Sequence, residues 1–297
     1  MILQYATEKF YNMQQKNIAL VTGSSSGIGF HTSLFLARAG FYTYATMRNL
    51  DKSSQIVDIA QEDNLPLEVL RLDVTDDKSV KDAINIIAVK QKRIDVVVNN
   101  AGYGSIGAVE DFSIDEIKAQ FETNFFGAVR VIQYVLPIMR EQRSGVIVNI
   151  SSIGGRISFP FSPSYASTKF ALEGLSEALQ YEVDQFGIKV ILVEPGIIKT
   201  NFPDNILKAK RALDPTSPYS ELLQRRINRV KPMFENGTAP EEVARVTLKA
   251  ITSITPELRY LVGSDANSLI EKRKSVPERK FLEFMSQNIL GSGNQLH

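Results

Sequence analysis

The sequence predicts one α/β domain built on a doubly wound parallel sheet of about seven strands, with helices on both faces. Three observations carry this. From Asn17 onward, apolar runs of strand length alternate with segments of helical period, as repeated βαβ units require. The runs are almost continuously apolar, so the sheet should be buried on both sides. No composition break or linker interrupts them between residues 17 and 263.

In chain order the candidate strands are NIALVT (17–22), FYTYATM (41–47), LEVLRLDV (67–74), IDVVVNN (94–100), GVIVNIS (145–151), KVILVEP (189–195) and RYLVG (259–263). Helical spacing predicts helices near 27–39, 51–63, 76–91, 115–141, 165–186 and 240–253, several opened by an Asp, Ser or Thr suited to N-capping. SIDEI at 113–117 reads as a capping box, with Glu116 three residues after Ser113. Residues 1–16 form a short N-terminal extension. Two later stretches depart from the alternation. Residues 201–238, rich in Pro, Phe, Leu and Arg, are an insertion where loops over a site tend to sit, and 264–297 is a charged tail of helical character whose end should fray.

Composition narrows the function. In 297 residues, 34 Lys and Arg nearly cancel 33 Asp and Glu, so no global field would hold the chain on nucleic acid or an anionic membrane. The absence of cysteine removes disulfides, thiolate nucleophiles and cysteine metal sites together, and suits a cytoplasmic address. MILQYATEKFYNMQQKN lacks the basic start and apolar core of a signal peptide, and nothing approaches the roughly 20 apolar residues of a membrane span. Of the two histidines, His31 reads as a helix-surface residue and His297 ends the chain, so neither offers a triad. With no HExxH, zinc spacing or Walker loop, no metal site is expected.

Chemistry is legible in two places. ALVTGSSSGIGFHTSLFLARAG runs from a strand through Gly23, Gly27 and Gly29 into a helix, and glycines there let backbone N–H groups approach a pyrophosphate at a helix N-terminus. YASTKFALEGL sets Tyr165 and Lys169 four residues apart, on one helical face. A free tyrosine has a pKa of about 10 and is a reluctant proton donor or acceptor at neutral pH unless its anion is stabilised. The lysine's charge could supply that stabilisation.

The glycine spacing is TGxxxGxG, not GxGxxG. Together with NNAG at 99–102, the Tyr165 and Lys169 pair and PG at 195–196, it resembles the short-chain dehydrogenase/reductase family over roughly residues 17–263. The resemblance implies a single Rossmann-type domain with strand order 3-2-1-4-5-6-7 that uses NAD(H) or NADP(H). It implies that Gly23, Ser25, Ser26, Gly27, Ile28 and Gly29 hold the pyrophosphate, and Asp73 and Val74 the adenine. Asn99, Asn100, Ala101 and Gly102 would lie near the ribose and sheet centre; hydrogen bonding within the protein stays open for Asn100. Pro195, Gly196, Ile198 and Thr200 match the segment at the nicotinamide. An acid at the end of the second strand would bind a ribose 2′-OH, whereas an arginine accommodates a 2′-phosphate. Here Thr46 stands at that place and Arg48 just beyond, so NADP(H) is preferred and NAD(H) possible.

By the same resemblance Tyr165 is the general acid or base, Lys169 supports it and binds the nicotinamide ribose, and Ser152 hydrogen-bonds the substrate oxygen, with Ser151 the alternative. Asn124 matches a residue that kinks the long helix and holds a relay water. Substrate choice lives in loops. The insertion offers Phe202, Ile206, Leu207, Leu213, Leu223 and Met233, and upstream Tyr103, Ile153, Phe159 and Phe161 are placed to line one cleft. Such an apolar pocket suits a lipophilic ketone, aldehyde or secondary alcohol, of steroid, retinoid or acyl-chain type, more than a sugar. A lid packed on its own domain is the plainer reading of the same residues. The family also implies a homodimer or homotetramer. Two other functions compete: a nucleotide-sugar epimerase or dehydratase, which would carry a different glycine spacing, and a non-enzymatic NADP(H) sensor, which would have lost one of Ser152, Tyr165 or Lys169.

Overall fold

Seven parallel strands appear where the apolar runs lie: β1 (Ile18–Val21), β2 (Tyr42–Met47), β3 (Leu67–Arg71), β4 (Val96–Asn99), β5 (Gly145–Ile150), β6 (Ile188–Pro195) and β7 (Arg259–Val262). The computed structural model describes residues 16–291; nearly all of the N-terminal extension, the last residues of the tail and His297 lie outside the described residues. The sheet order is β3-β2-β1-β4-β5-β6-β7, as the family resemblance implies. Because β1 pairs with β2 on one side and β4 on the other, the order reverses there, opening a crevice beyond the carboxyl ends of the strands.

Burial on both faces follows from the two-residue period of a strand. Ile18 and Leu20 of β1 face one core, with Ile84, Val135 and Met139 of the helices on that side. Ala19 and Val21 face the other, with Leu36 and Val243. The helices are α1 (Gly27–Arg38), α2 (Ser54–Glu62), α3 (Asp77–Gln91), α4 (Ile114–Phe121), α5 (Gly127–Gln142), α6 (Pro163–Val183), α7 (Ser220–Glu235), α8 (Pro240–Ile251), α9 (Ser264–Ser275) and α10 (Glu278–Leu290). The capping box opens α4: Ser113 Oγ accepts from Glu116 N, and Ser113 N donates to Glu116 Oε2.

The helix expected over 115–141 is one path in three pieces, because a π-helical turn, Glu122–Phe126, separates α4 from α5. The insertion packs on the domain through a small core in which Ile106 and Phe112 meet Ala209, Ala212 and Leu223. A two-residue ladder joins Ser105–Ile106 to Leu207–Lys208 at its edge. The tail folds back as α9 and α10, burying Ile270, Phe281, Met285 and Ile289 against Ile157. Among the described residues, no helix is long and apolar enough to cross a membrane.

Candidate active site

The crevice is walled first by the glycine turn. Gly23 has φ +69°, and a Cβ there would lie 2.9 Å from Ala101 Cα; a Cβ on Gly29 would lie 2.3 Å from Asn100 Nδ2 and 2.4 Å from the Gly23 carbonyl oxygen. The turn is therefore pressed against the strand-end motif that follows β4. Asn100 Nδ2 donates to the Thr22 and Gly23 carbonyls at 2.9 and 3.0 Å, and its backbone N–H to Thr22 Oγ1 at 3.0 Å. Its side chain thus braces the turn from within the protein, the reading left open for it above.

Ser24 points inward, Ser25 and Ile28 are half-buried and Ser26 is exposed. Ser26 makes no side-chain cap to α1, and no acid occupies the first turn. Uncapped N–H groups, an unopposed positive dipole end and glycines that bring the backbone close fit a pyrophosphate. The far wall is the chain after β6: Thr200 Cγ2 lies 3.5 Å from the position a Gly27 Cβ would take. That segment is fixed by Gly196 N–H to the Val262 carbonyl, by Ile197 N–H to Asp265 Oδ2 at 2.7 Å, and by a bridge between buried Ile198 and Thr238. Thr46 spends its hydroxyl on the Val21 carbonyl, and Arg48, the first residue after β2, is exposed. Asp73 Oδ1 accepts from the N–H and hydroxyl of Thr75, and Val74 is buried beside Gly127.

Tyr165 sits in the first turn of α6, which Pro163 opens. Its hydroxyl is hydrogen-bonded with Ser152, which stands at the end of the chain leaving β5 and accepts from Gly154 N–H at 3.0 Å. Burial pushes the Tyr165 phenol up, and the Ser152 hydrogen bond opposes part of that rise. Lys169, 6% exposed, lies one turn on; its Nζ is 5.8 Å from the Tyr165 ring centroid and donates to the Ile150 carbonyl at 2.7 Å. Burial lowers the Lys169 amine to about 8, with Glu173 pulling the other way. Ser151 is buried facing Gly155 and Glu173, so the geometry brings Ser152, not Ser151, to the tyrosine.

Asn124 explains the helix break. It lies buried in the π turn, where its Nδ2 donates to the Tyr103 carbonyl at 2.9 Å and to Thr168 Oγ1 at 3.3 Å, and its Oδ1 accepts from Tyr103 N–H at 3.1 Å. Thr168 in turn donates to the Tyr165 carbonyl, so Asn124 ties the chain after β4 to the helix bearing the tyrosine. Gly102 is packed against the Asn124 side chain.

On the substrate side, the Phe202 ring stands edge-on to Tyr165 with centroids 6.0 Å apart, and presses on Gly104. Tyr103 is half-buried and Ile153 buried beside Ser152. Phe159 packs instead with Ile157, Phe281 and Met285 of the tail core. With Phe161, Pro163, Tyr219 and Leu222 it also rims an open, mostly apolar depression of about 290 Å³. Within the insertion Leu223 and Ile206 pack on the domain, as the plainer reading holds, whereas Leu207, Leu213 and Met233 are exposed.

Sequence reasoning missed several groups. Asp265 clamps the segment after β6, and its signal was the GSDA run closing the last strand. Arg226 is 9% exposed and bonds the Pro160 carbonyl and Ser162 Oγ, and burial lowers it to about 10. A buried ladder runs from Asn99 Nδ2 to Asn149 Oδ1 and from Asn149 Nδ2 to Ser176 Oγ. His31 pairs with Glu241 at 3.4 Å. Among the described residues, no group of His, Asp and Glu could hold a metal ion.

A family model described as short chain dehydrogenase matches residues 17–211. The chain is 38% identical over 261 residues to a 3-ketodihydrosphingosine reductase of Bacteroides thetaiotaomicron, covering 88% of this chain and 93% of that protein. It is 37% identical over 270 residues to retinol dehydrogenase 8 of Bos taurus, covering 87% and 85%. A solved short-chain dehydrogenase from Streptomyces avermitilis superposes with a TM-score of 0.78 at 33% identity, covering 87% of this chain and 93% of that one. Family model, relatives and fold agree with the turn, the tyrosine and the lysine: the chain belongs to the short-chain dehydrogenase family, nicotinamide-dependent oxidoreductases acting on CH–OH donors.

Proposed function

We propose that this enzyme interconverts a lipophilic ketone or aldehyde and its alcohol with NADP(H), using Tyr165 as the proton-transferring group. The observation that carries the reading is the Tyr165 hydroxyl joined to Ser152, one helical turn from buried Lys169 and under the Phe202 ring. When bound, the nicotinamide supplies or takes the hydride. Gly23, Ser25, Ser26, Gly27, Ile28 and Gly29 hold its pyrophosphate, Arg48 the 2′-phosphate, Asp73 and Val74 the adenine, and Ala101 and Gly102 the ribose region. Pro195, Gly196, Ile198 and Thr200 hold the nicotinamide end, and Asn100 acts by bracing the turn.

In the reducing direction Ser152 orients the carbonyl oxygen, and Tyr165 gives it a proton as negative charge develops there. Lys169 stabilises the resulting phenolate, and Asn124 holds the water through which that phenolate is reprotonated. Tyr103, Ile153 and Phe202 line the substrate cleft, and Phe159 lies on its outer rim. Phe202 beside Tyr165, buried Ile153, and the sphingoid and retinoid names of the two relatives support a substrate with a long apolar body. Exposed Ile114, Phe126, Phe170 and Tyr181 on α4 to α6 support a homodimer or homotetramer, and the lack of cysteine supports a cytoplasmic address.

The test is NADPH consumption with long-chain ketones, retinal, steroid ketones and sugar carbonyls. Turnover with the lipophilic carbonyls is expected, and exclusive turnover of sugars would overturn the substrate class. A preference for NADH would remove the role of Arg48. Tyr165→Phe should abolish reduction while NADPH still binds; retained turnover defeats the mechanism.

A further inference from the structure

Directly behind Lys169 the fold buries charges that the proposed reaction leaves unused. Glu173 stands one turn beyond Lys169 on the same face of α6 and is 5% exposed. Its Oε2 accepts from Arg259 Nε of β7 at 3.0 Å, and its Oε1 has no hydrogen-bond partner among the described residues. Glu194 of β6 is fully buried, 3.1 Å from Arg156 Nη1 and 3.4 Å from Arg259 Nε. Glu177, also on α6, takes Arg259 Nη2 at 2.7 Å. Gly155 seals the group to the Ser152 turn, since a Cβ there would meet Glu173 Cγ at 2.9 Å and the Lys169 carbonyl oxygen at 3.0 Å.

A buried ammonium persists only beside opposite charge. The hydrogen bond from Lys169 goes to a neutral carbonyl, so its counter-charge must come from this group. Glu173, Glu177 and Glu194 balance Arg156, Arg259 and Lys169 one for one. We propose that Glu173, held by the Arg259 guanidinium that Glu177 and Glu194 share, is a positioning residue that keeps Lys169 charged. Burial holds Lys169 down at about 8 and Glu173 opposes that fall. Burial, and then Glu173, push the Glu194 carboxyl up to about 7 against Arg156 and Arg259. Once ionised, Glu194 adds a negative charge to the group that Arg259 joins to Glu173.

The inference rests on Lys169 supporting Tyr165, and its test reads the lysine directly. In the full chain labelled with ¹³C at lysine Cε, the Lys169 resonance is assigned by its loss in Lys169→Arg and titrated by NMR. Glu173→Gln should move its midpoint down by about one pH unit, Glu194→Gln by less, and Glu173→Asp should leave it near the wild-type value. A midpoint unmoved in both glutamine variants overturns the proposal, and should Glu173→Gln fail to fold, Glu194→Gln alone decides. A midpoint that moves while Tyr165→Phe still reduces carbonyls overturns the mechanistic reading but not the charge coupling.

Discussion

The glycine turn after β1 and the insertion after β6 both hang over the carboxyl ends of the strands, yet they are held in opposite ways. The turn is locked by backbone clearances and by Asn100 bonds to two carbonyls. The insertion rests on the domain through a small side-chain core shared with Ile106 and Phe112, and leaves Leu207, Leu213 and Met233 in solvent. Rigid backbone contacts specify one ligand group, whereas a side-chain surface can be redrawn by single substitutions. In the proposed function, cofactor and substrate recognition are thereby carried by parts of the chain that can change independently.

The contrast can be broken first at Gly29. Gly29→Ala would drive a methyl into the Gly23 carbonyl oxygen, which cannot move without opening the turn. NADPH affinity should fall about a hundredfold, read by nicotinamide fluorescence, with stability lower by about 2 kcal/mol in denaturant melts. Asn100→Ala removes both braces and should weaken NADPH by about tenfold, since each internal bond contributes on the order of 1 kcal/mol. Retained affinity in both would place the turn's rigidity elsewhere.

A pH series separates the proton chemistry from either wall. Tyr165 is raised and so stays protonated, while Lys169 is depressed to about 8 and sheds its charge as pH climbs through that value. Carbonyl reduction at saturating NADPH should therefore decline above about pH 8, approaching tenfold per unit, and hold steady between 6 and 7. The smallest effect belongs to the insertion surface: Leu207→Ser should shift stability by no more than about 0.5 kcal/mol. It should raise KM for a long-chain ketone a few-fold without altering NADPH affinity.

How much was legible divides along the same line. The central strands were readable because a strand buried on both faces must be apolar throughout, as VVV at 96–98 is, whereas half-buried β3 and β7, which carry Glu68, Arg71 and Arg259, were readable from their place in the alternation. The glycine turn, Tyr165 and Lys169 were readable because their chemistry is local in sequence. The π turn was not visible in helical periodicity, since it depends on Asn124 reaching the Tyr103 backbone. Nor was the charge group, whose Arg259–Glu173 contact joins residues 86 positions apart. Phe159 was assigned to the cleft on hydrophobicity alone, and its packing with Phe281 and Met285 joins residues too far apart in sequence to be read there.

Phe202 leaning on Tyr165 gives the molecule a place for an optical clock. The chain contains no tryptophan. Phe202→Trp would therefore install a single indole whose emission senses the ionisation of the neighbouring hydroxyl. Stopped-flow traces of that signal would date the proton step against hydride transfer within one turnover.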